Sequence, residues 1–567
     1  MTPSHEGTIL LGLLPYWAPL IPPLGISCLK GFLQQHGFRV RTVDFNTGVR
    51  FQELYHRYFS RLEGALPEGK RGNLYNIGHD VLQNHLMAHF LRDDESAYRE
   101  LVRLLIRQNF CHEADALQVG RLVDIVRQFF ELLEQEVLRV LEEVGPSVLG
   151  LSVFRGTLPA SLFAFRLAKA HDPAICTLMG GAIFSQEIEK NAPDFDAFLQ
   201  HTPYIDHCLI GEGEMLLLRW LRGELPPQHR VYDSGSSGAA GFDLQTANLP
   251  DFSDFEVGLY PHLAAYGSRS CPFQCSFCAE TLYWGKYRQK TSQQIAGELE
   301  TLYSRHGRQL FLMCDSLLNP FVSDLAQQLA RSQAALYWDG YLRVSPQAAD
   351  IDQALKWRQG GFYRARLGIE SGSARVLRLM GKKIGPHQIK EALSSLAHAG
   401  IKTTTYWVVG HPGETDGDFD QTLKLIELMK DDIYEAECNH FRYFPSGQVN
   451  SGEWGRQVRR LPLYPPWARH MLMLQSYTLD CLPTLEETFR RVNRFVQHCR
   501  QLDIPNPYSL EEIYRADERW VQLHPNAVPP LVRLNGGEQH PDPGERQRVK
   551  RRLPGENIFQ QEGDFDF

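Results

Sequence analysis

The sequence predicts an α/β protein with two successive sheets: an N-terminal Rossmann-like domain with a helical insertion, then a partial α/β barrel of the TIM type, then a C-terminal helical region. Three observations predict it. Short β-like runs alternate with helical stretches over residues 8–225, a long stretch of helical periodicity at 51–145 interrupts them, and a second β/α alternation occupies 256–445. Residues 226–255 read as a linker, 446–535 as the helical region and 536–567 as a disordered tail.

The bulk numbers agree with several domains. At 567 residues the chain exceeds what one hydrophobic core organises. With 43% hydrophobic and 22% charged residues and no apolar run of bilayer length, no membrane span is expected. The apolar stretch Ile9 to Leu14 has no basic segment ahead of it, so the expectation is a cytoplasmic protein. A net charge of −8 gives no general basic field, which argues against nucleic acid as a partner. The 11 cysteines are spread over a long chain and do not form a secreted disulfide framework, but three of them fall within eight residues.

In the first domain the predicted strands are Ile9 to Leu14, Arg39 to Val43, Val148 to Val153, Cys176 to Met179 and Ile205 to Ile210. Doubly wound sheets bind ligands at the carboxyl ends of their strands. Those ends carry Gly150-Leu151-Ser152, Gly180-Gly181 and Gly211-Glu212-Gly213-Glu214, so Ser152, Gly180, Gly181, Gly211 and Gly213 are candidate cofactor contacts. Each glycine taken alone also fits a tight turn. In the insertion, Ala116 to Glu143 carries an apolar face of Leu117, Leu122, Ile125, Phe129, Leu132 and Leu133, and packing is its first reading. The small, turn-prone run Asp233 to Gly241 supports a linker.

In the second domain, strands are predicted near Gln309 to Met313, Leu336 to Leu342, Tyr363 to Ile369, Thr403 to Val409 and Ala436 to Tyr443. Helices are predicted over Ser292 to Ser304 and Glu414 to Met429, and the stretch Trp467 to Val496 reads as helices capping the barrel. Ahead of these strands stands Cys271-Pro272-Phe273-Gln274-Cys275-Ser276-Phe277-Cys278. Three thiolates on one loop suit three irons of a cubane and leave the fourth iron open. A zinc site needs a fourth protein ligand at short spacing, and no further cysteine follows before Cys314.

The spacing Cys-x3-Cys-x2-Cys resembles the signature of radical S-adenosylmethionine (SAM) enzymes, and three later strand ends extend the resemblance: Cys314 to Asn319, Gly368 to Ser373 and Gly410 to Thr415. It implies a 4Fe-4S cluster on Cys271, Cys275 and Cys278, with SAM on the open iron. By the same resemblance Glu370 and Ser371 hold the ribose or methionine part, Arg343 pairs the methionine carboxylate, and Gly410 with Phe277 flanks adenine. Upstream, Pro22-Pro23-Leu24-Gly25-Ile26, Gly37 to Val40 and the glycine strand ends resemble the cobalamin-binding domain that precedes many radical SAM cores. The loop after the first strand, Pro15 to Leu20, has neither Asp nor His, so no protein histidine is expected on cobalt.

The class implied is a cobalamin-dependent radical SAM methyltransferase acting on an unactivated carbon of a small-molecule or peptide natural product. A flavodoxin or ferredoxin-type protein would donate electrons. Cobalamin-assisted cyclisation or rearrangement is the alternative within the family. A methylthiotransferase would carry an N-terminal cysteine trio and an RNA-binding module, neither of which is visible. A non-catalytic cobalamin or SAM sensor fits poorly with the intact cysteines and Glu370.

Overall fold

A computed structural model of the protein describes residues 7–16, 19–188, 190, 193–235, 242–443, 458–506 and 510–528. The expected tail at 536–567 lies outside them. The first sheet contains β1 (Thr8–Leu13), β2 (Arg39–Asp44), β3 (Val148–Ser152), β4 (Cys176–Gly180), β5 (His207–Ile210) and β6 (Val231–Asp233). All pair in parallel in the order β2-β1-β3-β4-β5-β6. β1 and β3 are buried almost throughout, which is why they read as apolar runs without alternation. β6 comes from the stretch read as linker; its three residues add an edge strand before the chain crosses over.

The insertion is a layer of four helices, Val49–Gly64, Leu74–Leu91, Glu95–Phe110 and Ala116–Val144. The last is held at its start by a capping box, with Gln118 N donating to Asp115 Oδ1 and Asp115 N to Gln118 Oε1, both at 2.8 Å. Of its predicted apolar face, Leu122, Ile125, Phe129, Leu132 and Leu133 are buried, whereas Leu117 in the first turn is 64% exposed. Between the helices runs a buried hydrogen-bonded chain, Tyr58 OH to His85 Nδ1 at 2.9 Å and His85 Nε2 to Tyr98 OH at 2.8 Å.

The second sheet opens with β7 (Leu263–Ala265). A two-stranded antiparallel ribbon follows, β8 (Ser268–Arg269) with β9 (Arg288–Gln289). Then come β10 (Leu310–Met313), β11 (Tyr337–Leu342), β12 (Phe362–Glu370), β13 (Lys402–Val409) and β14 (Glu435–His440). All six main strands are parallel and follow chain order, with β7 and β14 as the two edges, so the sheet is a partial barrel. Within Trp467 to Val496 the structure places a strand as well as helices: β15 (Arg460–Pro462) pairs antiparallel with β16 (Tyr477–Leu479), ahead of the helix Leu485–Gln501. Among the described residues no helix is long and apolar enough to cross a membrane.

Candidate active site

Both sheets present their carboxyl ends to one cavity of about 460 Å³. From the first sheet come Tyr16 beyond β1, Phe154 to Gly156 beyond β3, and Ala182, Ile183 and Glu187 beyond β4. The order of the first sheet reverses between β1 and β3, and ligands of doubly wound sheets sit at that reversal. Tyr16 and Phe154 meet there edge to face, 4.6 Å between ring centres. From the barrel come Ser316, Tyr341 to Arg343, Glu370, Val408 and Asn439 to Arg442 at or near strand ends, and Arg366, Tyr406 and Trp407 from within β12 and β13.

The cysteine loop forms one wall, with Cys271, Cys275 and Cys278 all bordering the cavity. It leaves β8 through Ser270, whose φ of +75° is unusual for a residue with a side chain, and whose Oγ donates to Gly285 O at 2.7 Å. Its far side is tied to the barrel, Ser276 N donating to Met380 O at 2.9 Å. Among the described residues no three His, Cys, Asp or Glu side chains close around a single ion. A cubane asks for something different, since each thiolate holds a separate iron. Burial pushes the Cys278 thiol up to about 12, so a strong Lewis acid or cationic neighbour is required to keep it ionised.

A cation also borders the loop, beside Cys275 rather than Cys278. Arg343 Nη1 stands 3.5 Å from Cys275 Sγ, and its guanidinium carbon lies 4.1 Å from the ring centre of Phe273. Its Nη2 is buried with no hydrogen-bond partner among the described residues, which leaves a donor for an anionic ligand. Glu370, at φ +67°, accepts from Lys382 Nζ at 2.6 Å, and both carry only 8% side-chain exposure. A Cβ on Gly368 would stand 2.5 Å from Glu370 Oε1, so glycine makes room for this pair.

The remaining sequence candidates sit differently. Phe277 borders the cavity. Ser371 is fully buried and away from it: its Oγ accepts from Ser373 N at 3.1 Å and lies 3.3 Å from Thr422 Oγ1. Gly410, at φ +82°, borders a smaller neighbouring cavity, and a Cβ there would stand 2.4 Å from Thr488. Ser152, Gly180, Gly181, Gly211 and Gly213 lie at the first sheet's carboxyl edge behind the residues that border the cavity. Gly181 permits a close backbone approach, since a Cβ would stand 2.5 Å from both Val153 N and Val153 O. Gly211 faces open space.

Several groups in the cavity wall carry no motif. Helix Leu74–Leu91 of the insertion contributes Asn76, His79, Asp80 and Gln83. Asn76 Nδ2 donates to Glu437 Oε1 at 2.8 Å and to Asn439 Oδ1 at 2.7 Å, and Asp80 pairs with Arg442 and lies 3.7 Å from Arg155 Nε. Arg155 also meets Glu187 at 2.7 Å. Burial, with Arg442 nearby, lowers His79 to about 3 and keeps its imidazole neutral. Tyr406 OH is buried without a partner among the described residues. The one sequence signal for Asn76 and Asp80 is their polarity in an otherwise well-buried helix.

Residues 266–426 match the Radical SAM superfamily. An uncharacterized methyltransferase of Pyrococcus horikoshii is 23% identical over 327 residues, 53% of this chain and 68% of that protein. An anaerobic magnesium-protoporphyrin IX monomethyl ester cyclase of Rubrivivax gelatinosus is 22% identical over 348 residues, 56% of this chain and 61% of that protein. Thus only about two thirds of either relative is spanned. Among solved structures, the radical SAM methyltransferase TsrM of Kitasatospora setae, with cobalamin and a [4Fe-4S] cluster bound, aligns at TM-score 0.55 with 14% identity, covering 91% of this chain and 99% of that one. The cobalamin-dependent radical SAM enzyme OxsB aligns at TM-score 0.51 with 14% identity, covering 89% and 62%. At such identities these two establish a shared fold.

Proposed function

We propose that this chain, a radical SAM superfamily enzyme, is a cobalamin-dependent methyltransferase acting on an unactivated carbon, with Cys271, Cys275 and Cys278 holding the 4Fe-4S cluster. The observation that carries the reading is the single cavity between the two carboxyl edges, with the cysteine loop on one side and the β1/β3 reversal on the other. When bound, the reduced cluster with SAM supplies a 5′-deoxyadenosyl radical, and cobalamin supplies a carrier for the methyl group.

The chain's own residues supply position and charge. Arg343 offers Nη2 to the methionine carboxylate while its other arm supports Cys275. Glu370, oriented by Lys382, suits a ribose hydroxyl or the methionine amino group. Tyr16, Phe154, Gly156, Ala182 and Ile183 form a largely apolar wall suited to the face of a large flat macrocycle. Helix Leu74–Leu91 of the insertion borders the cavity from the side with Asn76, His79, Asp80 and Gln83. A flavodoxin or ferredoxin-type protein supplies electrons, and the substrate is a small molecule or peptide.

The matches to cyclases at 22% identity and above favour cobalamin-assisted cyclisation as a second reading. The test is anaerobic turnover of the reconstituted protein with cobalamin, SAM and reductant on candidate substrates. Equal release of S-adenosylhomocysteine and 5′-deoxyadenosine with a product one methyl heavier supports methyl transfer. A product without added carbon supports cyclisation.

A further inference from the structure

We propose that Glu212 and Glu214, at the N-cap and in the first turn of the helix Gly213–Leu221 that follows β5, are positioning residues that hold the cysteine loop through Arg269. The proposal rests on the cluster reading of Cys271, Cys275 and Cys278 and concerns how the first domain sets that loop's geometry. Arg269 lies two residues before Cys271 on β8, directly opposite Arg288 of β9. Two arginines facing each other across a two-residue ribbon repel, and so short a ribbon has little stability of its own. Carboxylates from the other domain neutralise them. Arg269 Nη1 lies 2.6 Å from Glu212 Oε1, and Nη2 pairs with Glu214. Arg288 reaches both oxygens of Glu212, Nη2 to Oε1 at 2.8 Å and Nη1 to Oε2 at 3.0 Å.

The arrangement is enclosed. Side-chain exposure is 12% for Arg269 and 6% for Glu214, and the Arg269 guanidinium lies 5.4 Å from the ring centre of Trp284 and 5.6 Å from that of Tyr266. Removing one partner therefore leaves a charge without compensation and without easy access to water. The strained Ser270 follows at once, so the direction in which Arg269 is held sets where Cys271 points. The loop's other anchor, Ser276 on Met380, belongs to the barrel. One end of the loop is thus fixed by the first domain and the other by the second.

The test uses the full chain in two states. In the anaerobically reconstituted protein, E214Q should take up iron like the wild type but release it to a ferrous chelator about tenfold faster, the factor expected for losing one well-coupled contact. In the metal-free protein, amide exchange over residues 270–278 should rise in the same variant. The control is D254N, which removes ion pairs to Lys30 at 2.8 Å and Arg41 at 3.3 Å and involves neither arginine of the ribbon. It should lower the melting temperature and leave both loop readouts unchanged. If E214Q does not fold, E212Q is read in its place. Wild-type release and exchange in the glutamine variant would overturn the proposal, as would equal acceleration in D254N. A wild-type protein that binds no iron would remove the cluster reading, while the exchange comparison would still decide whether the two acids position the loop.

Discussion

Arg343 stands with one guanidinium nitrogen 3.5 Å from Cys275 Sγ and the other buried and unpartnered among the described residues, joining the cysteine loop to the end of β11. On the proposed reading it faces two anions, the Cys275 thiolate on one side and the methionine carboxylate of SAM on the other. Arg343→Met should therefore weaken SAM binding by about 10- to 100-fold, the range for loss of a charge-assisted hydrogen bond. Equilibrium binding of SAM to the reconstituted variant checks this, and unchanged affinity would remove Arg343 from the SAM site.

Glu370 tests the opposite charge. Glu370→Ala should lower SAM affinity more than iron loading, because the carboxylate lies beside the cavity and its partner is Lys382 rather than a cysteine. Lys382→Met should share part of that loss by freeing the carboxylate from its orientation. Parallel measurement of iron content and SAM affinity distinguishes this from general damage, which would lower both together.

Much of this site was legible in the sequence, and the reason lies in which links are local. Cysteine spacing is a local property, so the triplet Cys271, Cys275 and Cys278 is readable from the chain and all three border one cavity, and strands such as β3 and β13 agree with their apolar runs to within a residue or two. Ser371 and Gly410 sit at the expected strand ends, yet their contacts are with Thr422 and Thr488, and no motif encodes which way a strand end turns. Lys382, Arg366 and Tyr406 carry no motif, because what brings them to the cavity is the packing of the barrel. Asp80 and Asn76 lie more than 350 residues before Arg442 and Asn439 in the chain, and polar residues in an apolar helix gave the only hint. β6 was missed because three residues between turns do not make a periodic pattern.

The cavity also sharpens the cobalt expectation. His79 borders it with a neutral imidazole, so a potential ligand is present although the first loop lacks one. The first loop brings Tyr16 to the β1/β3 reversal, so Tyr16 would be among the residues that hold cobalamin; Trp17 lies outside the described residues. Electron paramagnetic resonance of the cob(II)alamin form should show no triplet splitting from a protein nitrogen, and His79→Ala should leave the signal unchanged. A triplet lost in His79→Ala would assign that histidine to cobalt.

A pH effect follows from Asp44 at the end of β2. Burial raises its carboxyl to about 6, against hydrogen bonds from Asn46 and Tyr260 that favour the charged form. A carboxyl raised above its unfolded value binds more protons when folded, so its contribution to stability is greatest in acid and falls as pH rises from about 4 to about 6. Asp44→Asn removes that dependence, and its stability relative to wild type should improve across this window by up to about 3 kcal/mol. Thermal melts at several pH values check the slope; parallel curves would contradict it.

The central claim is that one loop carries a cluster able to cleave SAM, and anaerobic reconstitution of the wild type beside a variant with Cys271, Cys275 and Cys278 all replaced by Ala tests it most directly. The account predicts about four iron and four sulfide per wild-type chain and none in the variant, which should stay soluble. On reduction with SAM, 5′-deoxyadenosine should form only with the wild type. A full cluster in the triple variant, or a loaded wild-type protein that binds SAM yet never forms 5′-deoxyadenosine with any substrate, would contradict it.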